Sequence, residues 1–229
     1  MSDSTNHVAA MDATPLGPPN WVSAALIVVG IAAVAAGLAV VPAEKILGTS
    51  TRLVFLHGAI TWTGLVMTII ASIGGFVFLV RSLRGRDGEE NGGGGYRTRR
   101  FLSLAVVFWV ISLGLSFPVM YMTWGGVLWR EPKLHMSVYI VSTLLVVWAI
   151  GLFVEREAWT AIGALIGAGV MVFLIAITPG AFHPENPIFS SDNLRFIGSF
   201  FALLGGLVAL ASGVALSNIG IGRGGYKGE

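Results

Sequence analysis

The chain contains, from residue 53 to residue 80, the stretch LVFLHGAITWTGLVMTIIASIGGFVFLV. It includes no Asp, Glu, Lys or Arg, and its only titratable side chain is His57. An α-helix rises about 1.5 Å per residue and the hydrocarbon core of a bilayer is roughly 30 Å thick, so a helix of this length can cross a membrane. The stretch therefore predicts a transmembrane helix.

Five further runs have the same character, because each is about 20 residues long or longer and lacks charged side chains in its interior. The six runs are 21–41, 53–80, 101–122, 134–154, 159–178 and 194–216. The chain is 55% apolar and only 11% charged, whereas soluble domains carry about 25% charged residues. We therefore expect an all-α, polytopic membrane protein with six transmembrane helices. One transmembrane domain would cover residues 21–216, between flexible cytoplasmic tails at 1–20 and 217–229.

The basic residues are concentrated in the connection between the second and third runs. This connection contains Arg81, Arg84, Arg86, Arg97, Arg99 and Arg100. Since Lys and Arg are enriched in cytoplasmic loops, we expect both termini inside and the loops 42–52, 123–133 and 179–193 outside. The inner side then holds nine Lys and Arg residues and the outer side five. This distribution explains the net charge of +2 without a nucleic-acid partner, and it predicts a multi-pass protein of the cytoplasmic (inner) membrane.

Two patterns that would indicate other chemistry are missing from the sequence. There is no cysteine, so disulfides, thiolate metal sites and thioether attachment of a cofactor are excluded. The glycine run 92–95 is followed by Tyr96 and Arg97 rather than by Lys with Ser or Thr, so it is not a phosphate-binding P-loop. Any ATP hydrolysis would belong to another subunit.

Between the third and fourth runs lies an aromatic segment, residues 118–135, with the sequence PVMYMTWGGVLWREPKLH. Because proline removes a backbone donor, we expect the third helix to close at Pro118 and the segment to form an outward loop. Tyr121, Trp124 and Trp129 have two interpretations. They could anchor the chain at the membrane interface, or they could form a platform for a flat ligand beside the adjacent glycine pair.

Three of the four histidines, His57, His135 and His183, fall on the predicted outer side, and only His7 does not. The same side carries Phe182, Phe189, Arg52, Arg130, Lys133 and Arg195. Neutral imidazole is a good ligand for iron, aromatic faces suit a flat macrocycle, and arginine suits carboxylates. His57 alone could equally be an interfacial histidine bonded to a neighbouring carbonyl, and a zinc site would account only for the histidines. A haem group accounts for histidines, rings and cations together.

Several segments resemble, in order along the chain, the polytopic haem-handling proteins of cytochrome c maturation, and most closely their C component. Residues 42–44 and then 48–57 are similar to the family's approach to its first ligand histidine. His183, followed by residues 193–196, is similar to the second ligand histidine and the start of the last helix. Residues 124–131, WGGVLWRE, occupy the place of the family's tryptophan-rich loop, which typically reads WGTWWVWD.

The resemblance implies that the protein binds haem b (iron protoporphyrin IX) at the outer face of the cytoplasmic membrane. It also implies that haem is presented to a membrane-anchored haem chaperone, alongside an ABC ATPase and its permease partner. Such a chain is a binding and transfer module without a catalytic residue of its own. The implied haem contacts are the axial ligands His57 and His183, the rings Tyr121, Trp124 and Trp129, and the propionate partners Arg52 and Arg195. For His135, an interfacial structural role is favoured over a third haem contact.

Two other functions remain open. A membrane b-type cytochrome would move electrons between quinone and a partner, but its haem ligands usually lie deep within helices, whereas His57 and His183 lie at helix ends. A permease for another amphipathic solute would need an ionisable residue in the middle of a span, and none is present. Quinone-dependent reduction with a reversible midpoint would favour the first, and binding of another solute by a haem-free preparation would favour the second.

Overall fold

The computed structural model describes residues 20–43, 48, 50–85, 94–179 and 193–217. Within these ranges the chain forms six α-helices, as predicted. They are α1 (Asn20–Val40), α2 (Thr51–Leu83), α3 (Gly94–Trp124), α4 (Pro132–Val154), α5 (Glu157–Ile177) and α6 (Leu194–Leu216). Apart from residues 20 and 217, the two predicted tails lie outside the described residues.

Every one of these helices is long and apolar enough to cross a bilayer. With 21 residues, α1 is about 31 Å long, and α2, with 33, is about 50 Å long. Because the hydrocarbon core is roughly 30 Å thick, α1 spans it and α2 extends beyond it. The chain is a multi-pass membrane protein of the all-α class, which confirms the predicted fold. The orientation with both termini in the cytoplasm stays a prediction.

The central core lies between α2, α3, α4 and α5, and Trp109 of α3 is its largest fully buried side chain. The indole lies against the backbone of Gly64 on α2, where a Cβ atom would come within 3.2 Å of the ring nitrogen. Its Nε1 atom donates a hydrogen bond to the Thr68 hydroxyl at 3.3 Å. The polar atom of this buried ring is therefore satisfied inside the core.

Small residues set the closest helix contacts. A Cβ atom at Gly167 of α5 would lie 2.7 Å from the Leu144 side chain of α4, as expected for a small-xxx-small packing pattern. The first helix packs mainly against α6, and there the two backbones meet. A Cβ atom at Gly206 would lie 2.9 Å from the carbonyl oxygen of Gly30, so a larger residue fits only if the helices move apart. A glycine seam thus holds α1 to the bundle.

Neighbouring helices in the chain run antiparallel, so the bundle has two ends. On α2 and α3, for example, Gly64 meets Trp109 whereas Gly74 meets Thr98. One end contains the last residues of α1, α3 and α5 and the first residues of α2, α4 and α6, and we call it the aromatic end. The opposite end, where α3 begins and α4 and α6 finish, is the arginine end.

At the arginine end, two consecutive arginines of α3 bond to the termini of two other helices. The Arg99 guanidinium donates to the Gly151 carbonyl of α4 at 2.9 Å. The buried Arg100 guanidinium donates to the Val214 carbonyl at 2.9 Å and to the Ser217 carbonyl at the end of α6. Carbonyls at the end of a helix lack partners within the helix and lie at its negative pole, so a cation stabilises them on both counts. These arginines therefore connect three helices.

Candidate ligand site at the aromatic end

The sequence predicted that the third helix closes at Pro118. The helix instead continues to Trp124. The carbonyl that loses its partner at Pro118 is that of Gly114, and the carbonyl beside it, of Leu113, accepts the Ser116 hydroxyl at 2.6 Å. Hydroxyls of this kind supply hydrogen bonds around a proline in a transmembrane helix. The prediction was wrong because unwinding the helix at this depth would leave several backbone groups without partners, which costs more than the single bond lost at the proline.

The helix ends instead where Gly125 adopts a left-handed backbone conformation, with φ of 73°. Its amide donates to the Tyr121 carbonyl at 3.0 Å, which is a common way of closing a helix and favours glycine. A residue with a Cβ atom would be strained by roughly 1 kcal/mol in this conformation. The connection to α4 is therefore short, covers residues 125–131, and leaves α3 directly after Trp124.

Two aromatic side chains, Tyr121 and Trp124, precede this connection in α3, and a third, Trp129, lies within it. Trp129 is 67% exposed, and its ring centroid lies 5.9 Å from that of Phe117 on α3, with an angle of 53° between the planes. Tyr121 is 68% exposed, and Trp124 is half-buried. Exposed rings at the end of a membrane helix fit both an interfacial anchor and a ligand platform. Trp129 is held against α3 by its contact with Phe117.

His57 lies in the second turn of α2 and is half-buried, with its Nδ1 atom inside the protein. One turn later, the Thr61 hydroxyl donates to the His57 carbonyl at 2.8 Å. The same hydroxyl lies 2.6 Å from the Ser112 hydroxyl of α3. Since the Thr61 proton is used in the first bond, Ser112 donates in the second. The backbone that carries His57 is therefore tied to α3 through two hydroxyl groups.

A groove of about 660 Å³ lies between the last turns of α1, the first turns of α2 and the end of α3. It is lined by Ala35, Leu38, Ala39, Ser50, Arg52, Leu53, Leu56 and Met122. Arg52 is the only charged residue in this lining, and its side chain has no hydrogen-bond or ion-pair partner within the part of the chain that the structure describes. The volume falls in the range of small-molecule sites, roughly 300–1,000 Å³. His57 is not in the lining, although Leu53 and Leu56, on the same part of α2, are.

Two other residues predicted to contact the ligand, Arg195 and His135, lie at the same end. Arg195 is exposed in the first turn of α6, where its amide donates to the Asn193 side chain at 3.0 Å. His135 is exposed in the first turn of α4. His183, the second predicted axial ligand, lies outside the described residues, together with most of the loop before α6. The convergence of His57 and His183 on one iron therefore stays a prediction.

One residue without a predicted role, Glu131, has a central place in the connection. Its side chain is only 1% exposed, and its Oε1 atom accepts the Lys133 amide at 3.3 Å, which caps α4. Its own amide donates to the Leu128 carbonyl at 3.0 Å. Pro132 follows at the first position of the helix, where an amide has no partner in any case. The pair Glu131 and Pro132 was the available sequence indication, since an acidic residue and a proline are both favoured at a helix start.

Among the described residues, no group of three or more His, Asp and Glu side chains is arranged to hold a metal ion. Comparison with models of known protein families gives no match, and comparison with curated proteins gives no relative. Function must therefore be inferred from the chemistry of the aromatic end, together with the resemblance that the sequence carries.

Proposed function

We propose that this protein binds haem b at its aromatic end, on the outer side of the cytoplasmic membrane, and presents it to a haem chaperone during cytochrome c maturation. The chain acts as a binding and transfer module. Its partners are haem, a membrane-anchored chaperone, an ABC ATPase with its permease, and the surrounding lipid. The proposal joins the resemblance of the sequence to the C component of this system with the chemistry of the groove.

The groove beside Arg52 is the observation that carries the proposal. Haem is a flat, mostly apolar macrocycle with two propionates on one edge, so it needs apolar surface and a cation in the same place. Among the described residues, those that line the groove are apolar apart from Ser50 and Arg52. A guanidinium forms charge-assisted bonds with carboxylates, so Arg52 suits a propionate. Met122, also in the lining, and Trp124 both lie in the last turn of α3, so the groove and the proposed aromatic platform are at the same end of the bundle.

His57 is the ligand that this region offers to iron. It follows Arg52 by five residues on α2, which is about 7.5 Å along the helix axis. Because its Nδ1 atom is buried, Nε2 is the atom that we assign to coordination. His183, from the loop before α6, is the second proposed ligand, Arg195 is the second propionate partner, and Tyr121 and Trp129 extend the platform. When bound, haem would supply its own iron coordination chemistry, and the chain would supply the ligands and the hold on the macrocycle.

Absorbance spectroscopy of the purified protein in detergent tests the proposal. We expect a Soret band in the unsubstituted protein, and loss of most of it in His57→Ala and in His183→Ala. Imidazole added to His57→Ala should restore the band, because the free base can enter the space that the side chain leaves. His7→Ala is the matched control, since it removes a histidine that has no part in the proposed site.

Different outcomes would refute the assignment of the axial ligands and the proposed function itself. A Soret band that is unchanged in both His57→Ala and His183→Ala would overturn the axial ligand assignment. An unsubstituted protein that binds no haem, either from cells or after reconstitution, would overturn the function.

A further inference from the structure

We propose that Glu131 is a positioning residue of this site, which holds Trp129 where its ring can contact the ligand. The identity of that ligand rests on the proposed function. The mechanism rests on the geometry of the connection between α3 and α4, residues 125–131.

Four backbone groups depend on Glu131. Its amide donates to the Leu128 carbonyl at 3.0 Å, which closes a turn with Trp129 and Arg130 as the two central residues. Its carbonyl accepts the amides of Leu134 at 3.1 Å and His135 at 3.3 Å, in the first turn of α4. Its carboxylate accepts the Lys133 amide at 3.3 Å. Three of these bonds belong to the main chain of Glu131 and one to its carboxylate, so the turn that presents Trp129 and the start of α4 meet at this residue.

The burial of Glu131 indicates more than a helix cap. A short, exposed Ser, Asp or Asn caps a helix well, so capping alone does not require a carboxylate that is 1% exposed. Burying a carboxylate is costly, and the cost is offset only when the group is held by specific contacts. Because the side chain is packed inside the protein, the turn above it cannot shift without moving the buried group.

The other end of the connection is fixed as well, so Trp129 has little freedom. Gly125 closes α3, and the Trp129 ring packs against Phe117 of the same helix. The ring is nevertheless 67% exposed, which leaves most of its surface available. A ligand platform gains affinity when its rings are held in place before binding, because less order has to be created on binding. We assign to Glu131 the role of holding the Trp129 ring in place before the ligand binds.

The test compares two residues that bond to opposite ends of α4. Glu131→Ala removes the bond at the aromatic end, and Arg99→Ala removes the bond to the Gly151 carbonyl at the arginine end. The chain has no cysteine, so Leu128→Cys provides a unique site for a nitroxide spin label in the turn. Electron paramagnetic resonance then measures the mobility of the turn in each background, with or without haem.

We expect Glu131→Ala to increase the mobility of the label and to lower haem affinity about tenfold, as removal of a supporting residue around a metal site typically does. Arg99→Ala should change neither reading. Glu131→Gln should restore most of both, because its amide oxygen can still accept the Lys133 amide. Glu131→Met keeps the volume of the buried side chain but has no oxygen to accept the Lys133 amide, so it should behave like Glu131→Ala and carries the test if Glu131→Ala does not fold.

Several outcomes would overturn the proposal. Unchanged mobility in Glu131→Ala, or in Glu131→Met if Glu131→Ala does not fold, would exclude a hold on the turn. Raised mobility with unchanged haem affinity would exclude a role in the site. Equal effects of Arg99→Ala would assign the result to the general stability of α4. If the unsubstituted protein binds no haem while Glu131→Ala still frees the turn, the proposed function fails and the hold of Glu131 on Trp129 is upheld.

Discussion

At the arginine end, Arg100 is 5% exposed and donates to two carbonyls of the α6 terminus, whereas at the aromatic end Arg52 is exposed beside an apolar groove. Both side chains lie near a boundary of the membrane, where a charge needs either water or a partner. The partners of Arg100 are built into the fold. Within the described residues, Arg52 has none. The difference indicates that Arg100 holds helices together, whereas the Arg52 side chain is accessible beside the groove.

Substitution of Arg100 would test its role in holding helices together, and of the substitutions considered it should have the largest effect on the free energy of unfolding. Arg100→Ala leaves the Val214 and Ser217 carbonyls without their charged donor, and hydrogen bonds to charged groups contribute about 1.5–3 kcal/mol each. We expect the free energy of unfolding to fall by about 3 kcal/mol, measured by reversible denaturation in mixed micelles. The exposed Arg84, at the same end, is the control. Equal effects of Arg100→Ala and Arg84→Ala would contradict the structural role.

The glycine seam between α1 and α6 offers a matched pair of adjacent residues, and α1 is one wall of the groove. A Cβ atom at Gly206 would meet the α1 backbone, whereas one at Gly205 meets nothing within 4 Å. Gly206→Ala should therefore lower the free energy of unfolding by about 2 kcal/mol and weaken haem binding as the wall moves. Gly205→Ala should stay within about 0.5 kcal/mol of the unsubstituted protein. If the two variants behave alike, the seam does not hold the wall in place.

Substitution of Arg52 would test the ligand-binding half. Arg52→Ala should lower haem affinity about tenfold, equivalent to about 1.4 kcal/mol, because it removes the charge-assisted contact with a propionate. Stability should change by less than about 0.5 kcal/mol, since the side chain is exposed. Haem titration and denaturation of the same preparation measure the two effects. A loss of stability without a loss of affinity would reverse the assignment, and Arg84→Ala should alter neither.

Ser112 sharpens the comparison within the site, with the smallest expected effect. Ser112→Ala removes the donor to Thr61, one turn from His57, and should cost about 1 kcal/mol of stability. If His57 ligates iron, the Soret maximum should also shift, because the histidine backbone loses its tie to α3. Ser72→Ala is the control, since that hydroxyl donates to the Ile69 carbonyl of its own helix. A Soret maximum at the same wavelength in both variants would show that the hydrogen bond between Thr61 and Ser112 does not influence His57 as an iron ligand.

The six helices could be predicted because each depends on one physical quantity, the length of an apolar run without charge. Their bounds could not be predicted equally well. Hydropathy detects the part of a helix that crosses hydrocarbon, so the first turns of α3, which contain Arg97, Arg99 and Arg100, were expected in a loop. Pro118 was expected to end the same helix, because the sequence shows that a proline removes one backbone donor. The larger cost of exposing several backbone groups to lipid cannot be read from the sequence.

The candidate site was predictable as a set of residue types and not as an arrangement. The sequence places Arg52, His57 and Trp129 near one end of the bundle, and the described helices do bring them to the same end. The groove depends on where α1 lies, and α1 is placed by glycines of α6 that are more than 160 positions away in the sequence. The burial of Glu131 was equally hidden, because a charged residue in a short connection is normally exposed.

The contact between α1 and α6 also has a consequence for biosynthesis. The ribosome delivers helices to the membrane in order, so α1 is inserted long before the segment that will hold it. During that interval the first helix has no partner at its glycine face, and the groove has only the walls that α2 and α3 provide. Under the proposed function, the groove is therefore complete only after α6 has entered the bilayer, and we expect a nascent chain truncated before α6 to bind no haem.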